Sequence, residues 1–334
     1  MMDDQHNQGH QHETGGFQTE SYLAPETLVQ LSTLELRARM IVEGIRSGSH
    51  TSPHQGMSVE FKQHRQYVPG DDLKHLDWRV YARSDRPTIK QYEQETTLDV
   101  SILVDCSASM RFGSLRMKKG WGGTRSTTPD RVWTKYDHAT AVSAALSWMS
   151  LQQSDRVGLN LFAEDLLTSI STRSTNDQWR RIITTLSNEP VDNGTEIERS
   201  VEHILSTIKN RSLIIIISDL LQDPGEIRNS IARIRHHNHD LICIQTLDEQ
   251  ELDLDITDPT TFIGLEDGNQ INIDPNTIRD IYLEKLNHHN NTIKQTLLDF
   301  GYDHLLLNTH ESVGPALTLL AARRMNWLKS RHVR

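Results

Sequence analysis

From Leu98 onward, short apolar runs alternate with longer stretches in which apolar residues recur every three to four positions. The runs are Leu98–Asp105, Arg156–Ala163, Ser212–Asp219, Asp240–Thr246 and His304–Asn308. Between them, helical spacing covers Asp137–Leu151, Asn176–Leu186, Thr195–Lys209, Gly225–His237 and Pro275–Phe300, and a last helix is predicted over Ser312–Lys329. Leu213–Ile217 is aliphatic at every position. A strand of that kind has both faces covered, as in a parallel sheet. The alternation of strand and helix predicts an α/β fold with a doubly wound, mostly parallel sheet flanked by helices. One interruption is expected at 261–273, where Asp267-Gly268 between alternating apolar positions signals a hairpin.

Upstream the pattern is different. Residues 1–24 are rich in Gln, His, Gly and Asp and poor in apolar residues, and read as a disordered tail. Pro25–Gly44 has helical spacing, with Gly44 as a stop. The block that follows holds short alternating pieces, Ser58–Phe61 and Thr88–Tyr92, around a Pro-Gly-Asp-Asp turn at Pro69–Asp72. The expected organisation is a tail (1–24), a helix plus β-rich extension packed on the main domain (25–97), and the main domain (98–330). Between Phe61 and Tyr92 lie seven Lys/Arg and four Asp, interleaved with Tyr67, Trp78 and Tyr81. That mixture fits a nucleic-acid surface or, more simply, Arg–Asp pairs that lock a turn-rich segment.

Composition narrows the class. A chain of 334 residues with a net charge of −10 lacks the basic footprint of general nucleic-acid binders. Its longest purely aliphatic run is five residues, far short of the ~20 a membrane span needs. The polar N-terminus has no signal-peptide core. Cys106 and Cys243, both in apolar strand contexts, read as buried reduced thiols. A cytoplasmic protein with no membrane insertion and no nucleic-acid partner is expected.

The candidate chemistry sits where strands end, because open α/β sheets bind ligands at the carboxyl ends of their strands. The first strand ends on Asp105, followed by Ser107 and Ser109. Thr195 stands at a predicted helix start, and Asp219 closes the strand after Ser212. Asp and Ser in such places also serve as caps. Two carboxylates and three hydroxyls from three loops, without His or Cys, suit Mg²⁺ (or Mn²⁺/Ca²⁺) rather than Zn²⁺. Two acids leave such an ion free to accept one more carboxylate, from a protein partner.

These five positions resemble the metal-ion-dependent adhesion site of the von Willebrand factor A domain, whose pattern is D-x-S-x-S, then Thr, then Asp. The resemblance implies that Asp105, Ser107, Ser109, Thr195 and Asp219 form the ion site, the hydroxyls touching the ion and the acids acting directly or through water. The preceding block is similar to the bacterial family called domain of unknown function 58: Gly56–Phe61 (GMSVEF), Arg65–Asp72 (RQYVPGDD), Leu76–Arg83 (LDWRVYAR), Lys90–Glu95 (KQYEQE) and Ser109–Gly113 (SMRFG). Members often accompany MoxR-type AAA+ ATPases, which implies an adaptor or co-chaperone role.

Leu115–Thr134 looks like an insertion, with five Lys/Arg against one Asp. Arg116, Lys118, Lys119 and Arg125 could form a basic flap that recruits an acidic partner, or the segment could be a plain surface insertion. The reading that follows is a non-enzymatic, divalent-cation-dependent protein-interaction module. The alternative, a metal-dependent phosphohydrolase using Asp105, lacks a visible general acid or base.

Overall fold

The computed structural model describes residues 34–48, 61–68, 76–92, 97–116, 132–175, 177–187, 194–256, 260–266 and 268–331. The expected tail, the first part of the Pro25–Gly44 helix, Ser58–Glu60 and the Pro69–Asp72 turn lie outside them. The chain divides into two compact units, Thr51–Thr97 and the rest.

In the smaller unit, β1 (Phe61–Gln66) pairs antiparallel with β2 (Thr88–Tyr92). Helix α1 (Leu34–Gly48) belongs to the larger unit, and the helix between β1 and β2 is α2, Trp78–Ser84. This helix was not expected in a β-rich block. Its start is set by Asp77, whose side chain accepts from the backbone N–H groups of Arg79 and Val80. Asp85 then ends it in the left-handed conformation, φ +53°. Trp78 and Tyr81 are exposed and meet edge to face.

The larger unit is built on a six-stranded sheet. Its strands are β3 (Asp99–Asp105), β6 (Arg156–Phe162), β7 (Leu166–Arg173), β8 (Leu213–Ser218), β9 (Asp240–Leu247) and β12 (Asp303–Asn308). Across the sheet they run β12-β9-β8-β3-β6-β7. All pairs are parallel except β6–β7. The doubly wound, mostly parallel fold expected from the pattern is therefore present, with an antiparallel edge strand added. β7 reads LLTSISTR and alternates exposed with half-buried positions, the mark of an edge covered on one side.

Alternate residues of each central strand feed two cores. Val100, Ile102, Val104, Leu213, Ile215, Ile217, Ile242 and Ile244 face one layer. Leu103, Ile214, Ile216, Leu241 and Cys243 face the other. This period of two is why five consecutive aliphatic residues on β8 are all buried.

The first core is covered by α1, α3 (Lys135–Gln152) and α9 (Gly314–Arg331), the second by α5 (Ile197–Thr207), α6 (Pro224–His236) and α8 (Pro275–Asp299). Helix α4 (Gln178–Leu186) adds Trp179, Ile182 and Leu186 to the first core. α3 is buried over most of its circumference, and its small residues Ala139, Ala141, Ser143, Ala144, Ala145 and Ser147 allow close approach on several sides. Cys106 and Cys243 are free and buried, and burial pushes both thiols up to about 12. Among the described residues no helix is long and apolar enough to cross a membrane.

Two short excursions complete the unit. β10 (Thr260–Ile263) and β11 (Gln270–Ile273) form the expected hairpin, with Gly268 at φ +69°. β4 (Leu115–Arg116) pairs with β5 (Val132–Trp133) at the base of the expected insertion. Trp133 is fully buried there and Thr134 caps α3. The insertion is thus shorter than Leu115–Thr134, because both of its ends are part of the framework.

Candidate functional site

β3 pairs with β6 on one side and β8 on the other, so the strand order reverses at β3. The carboxyl ends of β3 and β8 flank that switch point, where crevices open in doubly wound sheets. Asp105 is the last residue of β3, and Asp219 follows the last residue of β8.

Asp105 is fully buried. Its Oδ1 accepts from the Ser107 N–H (2.9 Å) and its Oδ2 from the Ser218 hydroxyl (2.7 Å). The Ser107 and Ser109 hydroxyls lie 3.0 Å apart. Ser109 Oγ donates to Asp219 Oδ2 at 2.8 Å. Four of the five expected residues are therefore joined in one hydrogen-bonded cluster. Their oxygens are hard donors, and the Ser109 proton points to a carboxylate, which leaves hydroxyl lone pairs for a cation. The donor set fits a magnesium-like ion.

Thr195 lies in the loop before α5, half-buried. The next residue, Glu196, donates its N–H to Ala163 O (2.9 Å), just beyond the carboxyl end of β6. That puts Thr195 at the same sheet edge. Its hydroxyl is not a hydrogen-bonded member of the cluster among the described residues. Of the four basic residues expected on the flap, Arg116 is exposed on β4, and Lys118, Lys119 and Arg125 lie outside the described residues.

The sequence reading missed Lys135. It is fully buried, and its Nζ donates to Asp219 Oδ2 (2.8 Å) and to Glu251 Oε1 (2.7 Å). Glu251 is on α7 (Glu249–Asp253), where its other oxygen closes a capping box on the Asp248 N–H (2.9 Å). Lys135 could have been noticed as a cation in the first turn of a helix, the end where the dipole favours anions. Glu251 gave no comparable signal, since its second half of the site is 116 residues away.

Electrostatics separates these groups. Burial and the neighbouring Asp219 charge push Asp105 upward, against the donors Ser218 and Ser107. Asp219 is equally desolvated, but the Lys135 ammonium and the Ser109 hydroxyl hold it below the usual carboxylate range. Burial raises Glu251 in spite of Lys135. Of the two acids sharing the ammonium, Asp219 carries the firmer negative charge.

The third loop is strained and well held. Leu220 adopts φ +53°, unusual for a leucine, and costs about 1 kcal/mol or more. Its N–H bonds the Ser218 hydroxyl (3.1 Å) and its carbonyl accepts from His289 Nε2 (2.7 Å). Gln245 Nε2 donates to the Asp219 carbonyl (3.0 Å) and to Asn290 Oδ1 (2.9 Å). An open cleft of about 360 Å³ adjoins the cluster, lined by Ser109, Phe112, Lys135, Glu251, Leu221 and hairpin residues Ile263–Glu266.

A second cluster lies at the ends of β9 and β12. Ser114 Oγ is 2.9 Å from His310 Nε2, and His310 Nδ1 is 2.8 Å from Glu249. The spacing is that of a hydrolase triad. Yet Ser114 donates its hydroxyl to Asp248 Oδ1 (2.5 Å) and its N–H to Oδ2 (3.0 Å). Asp248, fully buried, also receives Thr309 Oγ1 (2.7 Å). The Ser114 proton is held by a carboxylate rather than by an imidazole base, and the cluster ties three loops together.

The family model described as "Protein of unknown function DUF58" matches residues 63–292. The chain belongs to the DUF58 family. This DUF58 chain is 24% identical over 306 residues to uncharacterized proteins of Mycobacterium tuberculosis (strain ATCC 25618 / H37Rv) and Mycobacterium bovis, covering 90% of each chain. Among solved structures it is similar to conserved hypothetical protein BatB of Bacteroides thetaiotaomicron, with TM-score 0.42 and 15% identity over 70% of this chain and 99% of that one. An aerotolerance-related membrane protein of Bacteroides fragilis matches with TM-score 0.43 and 14% identity over 67% and 97%. The SpRpn10 VWA domain matches with TM-score 0.38 and 11% identity over 66% and 94%.

Proposed function

We propose that this DUF58 chain is a non-enzymatic protein-interaction module that works through a divalent cation, Mg²⁺ by the chemistry of its donors. Asp105, Ser107, Ser109 and Asp219 would hold the ion, with Thr195 joining from the neighbouring loop. A bound ion supplies an open coordination position for an Asp or Glu of a partner. The observation that carries the reading is a charge count. Asp105, Asp219 and Glu251 are three buried or largely buried carboxylates, and Lys135 is the cation hydrogen-bonded to two of them, Asp219 and Glu251, while Asp105 is held by Ser107 and Ser218. Buried charge of that kind is costly unless neutralised; burial and the Asp219 charge favour the protonated form of Asp105 in the metal-free chain, and with all three acids ionised the two negative charges that Lys135 leaves over are what a divalent ion cancels.

The partner class follows from the family resemblance, a MoxR-type AAA+ ATPase served by an adaptor or co-chaperone, and Arg116, Lys118, Lys119 and Arg125 would contact an acidic part of it. An enzymatic role for Asp105 is disfavoured because its hydrogen-bonded neighbours among the described residues, Ser107 and Ser218, offer no general acid or base. The test is calorimetric titration of the purified chain with Mg²⁺ and Mn²⁺, beside Asp105→Ala. Saturable binding that disappears in Asp105→Ala supports the reading. Equal heats for both proteins, or none, would reject it. Co-purification of an AAA+ ATPase with Mg²⁺, abolished by chelator, tests the partner.

A further inference from the structure

Lys135 is an odd component for a cation site. A lysine ammonium on a carboxylate of the proposed site would oppose a divalent ion held there, and an isolated buried lysine is itself unfavourable. Nothing about α3 demands it. Thr134 and Asp137 already form a capping box there, through Thr134 N–H to Asp137 Oδ2 (3.0 Å) and Asp137 N–H to Thr134 Oγ1 (3.1 Å). The side chain is nevertheless placed with care. The Lys135 N–H donates to Phe112 O (2.8 Å), which fixes the start of α3 against the loop that follows Ser109. Nζ then engages the same Asp219 oxygen that receives the Ser109 hydroxyl. One carboxylate oxygen thus links the internal ammonium to a hydroxyl of the proposed ion site. The second acid, Glu251, is held by the α7 capping box and opens on the cleft.

We infer that Lys135 and Glu251 form a built-in charge regulator of the ion site, with Lys135 weakening ion affinity so that the loaded site is neutral and accepts an anionic side chain. The inference rests on the cation-site reading above. With Lys135 present, a divalent ion brings the four-residue cluster of Asp105, Asp219, Glu251 and Lys135 to zero net charge. Without the ammonium, the loaded cluster keeps one negative charge and repels an incoming carboxylate. Without the Glu251 charge, the ion meets one positive charge too many. Ion affinity and acceptance of an acidic partner group therefore pull in opposite directions, and Lys135 sets the compromise.

The experiment is Mn²⁺ titration by calorimetry on the full chain and on Lys135→Met, Glu251→Gln and the double variant, with melting temperatures measured alongside. Lys135→Met is expected to bind Mn²⁺ roughly tenfold or more tightly, and Glu251→Gln more weakly by a similar factor, the scale of one unit charge acting within a protein site. The double variant restores the charge count and is expected near wild-type affinity. If Lys135→Met does not fold, the Glu251→Gln and double-variant pair decides the matter. Equal affinities in all four proteins, or loss of binding in both Lys135→Met and the double variant, would overturn the regulator and leave the cation site standing. Absence of Mn²⁺ and Mg²⁺ binding to the wild-type chain would overturn both.

Discussion

His138 makes the stability of this protein depend on pH in a direction that can be worked out. It lies one turn into α3, fully buried, with Trp133 Nε1 donating to its Nδ1 at 3.3 Å. Burial, with His310 adding to it, pushes the imidazole down to about 4 from an ordinary 6.5. Between those values an unfolded chain takes up a proton that the folded chain refuses. Stability from this group is full above 6.5 and falls as pH drops toward 4. At about 1.4 kcal/mol per pH unit the loss approaches roughly 3 kcal/mol. Asp105 acts in the opposite sense in metal-free protein. Its raised value means that its contribution is present at low pH and is lost as pH rises. A comparison with His138→Gln removes that background, since Asp105 is common to both proteins and a glutamine oxygen can still accept from Trp133. Urea denaturation in chelator at pH 7.5 and pH 4.5 gives the four free energies needed. The wild type should lose roughly 2–3 kcal/mol more than the variant over this interval. An equal loss in both would show that His138 does not hold its proton affinity down and that the reasoning is wrong.

Three other outcomes test the framework. Leu103→Ala, in the second core at full burial, should cost about 2–5 kcal/mol in urea denaturation. Gly158→Ala would place a methyl 2.8 Å from the Ile170 carbonyl at the β6–β7 irregularity and should destabilise by roughly 1–3 kcal/mol, with faster hydrogen exchange along β7. Thr134→Ala breaks the α3 capping box and should lower stability by about 1 kcal/mol; the same change should alter the ion titration, because Lys135 is the next residue.

Strand and helix were legible here because apolar period and turn residues agree. The consecutive aliphatics of β8 and the hairpin at Gly268 could be read almost to the residue, and four of the five proposed site residues meet in space. What escaped the reading has physical reasons. β7 is an edge strand whose alternation is diluted by Thr and Ser, so its apolar signal is weak. α2 is one short turn-rich helix held by the Asp77 cap, and its Arg residues obscure the apolar spacing. Lys135 and Glu251 escaped because a buried ion pair is a three-dimensional fact. Glu251 looks like any acid at a helix start, the misplaced Lys135 charge names no partner, and 116 residues separate the two.

The two-residue β4–β5 ladder has a consequence for how this surface can be changed. Leu115 and Trp133 close the excursion at its root, and Ser114 and Thr134, just outside the ladder, are each anchored by a carboxylate. Both ends of the excursion are therefore fixed by groups outside it. For a flexible insert joined at such a root, each doubling of length adds only about 0.6 kcal/mol of closure cost. The position can serve as a graft point, where a peptide epitope or a fluorescent reporter is carried within a few residues of Lys135 without rebuilding the sheet beneath it.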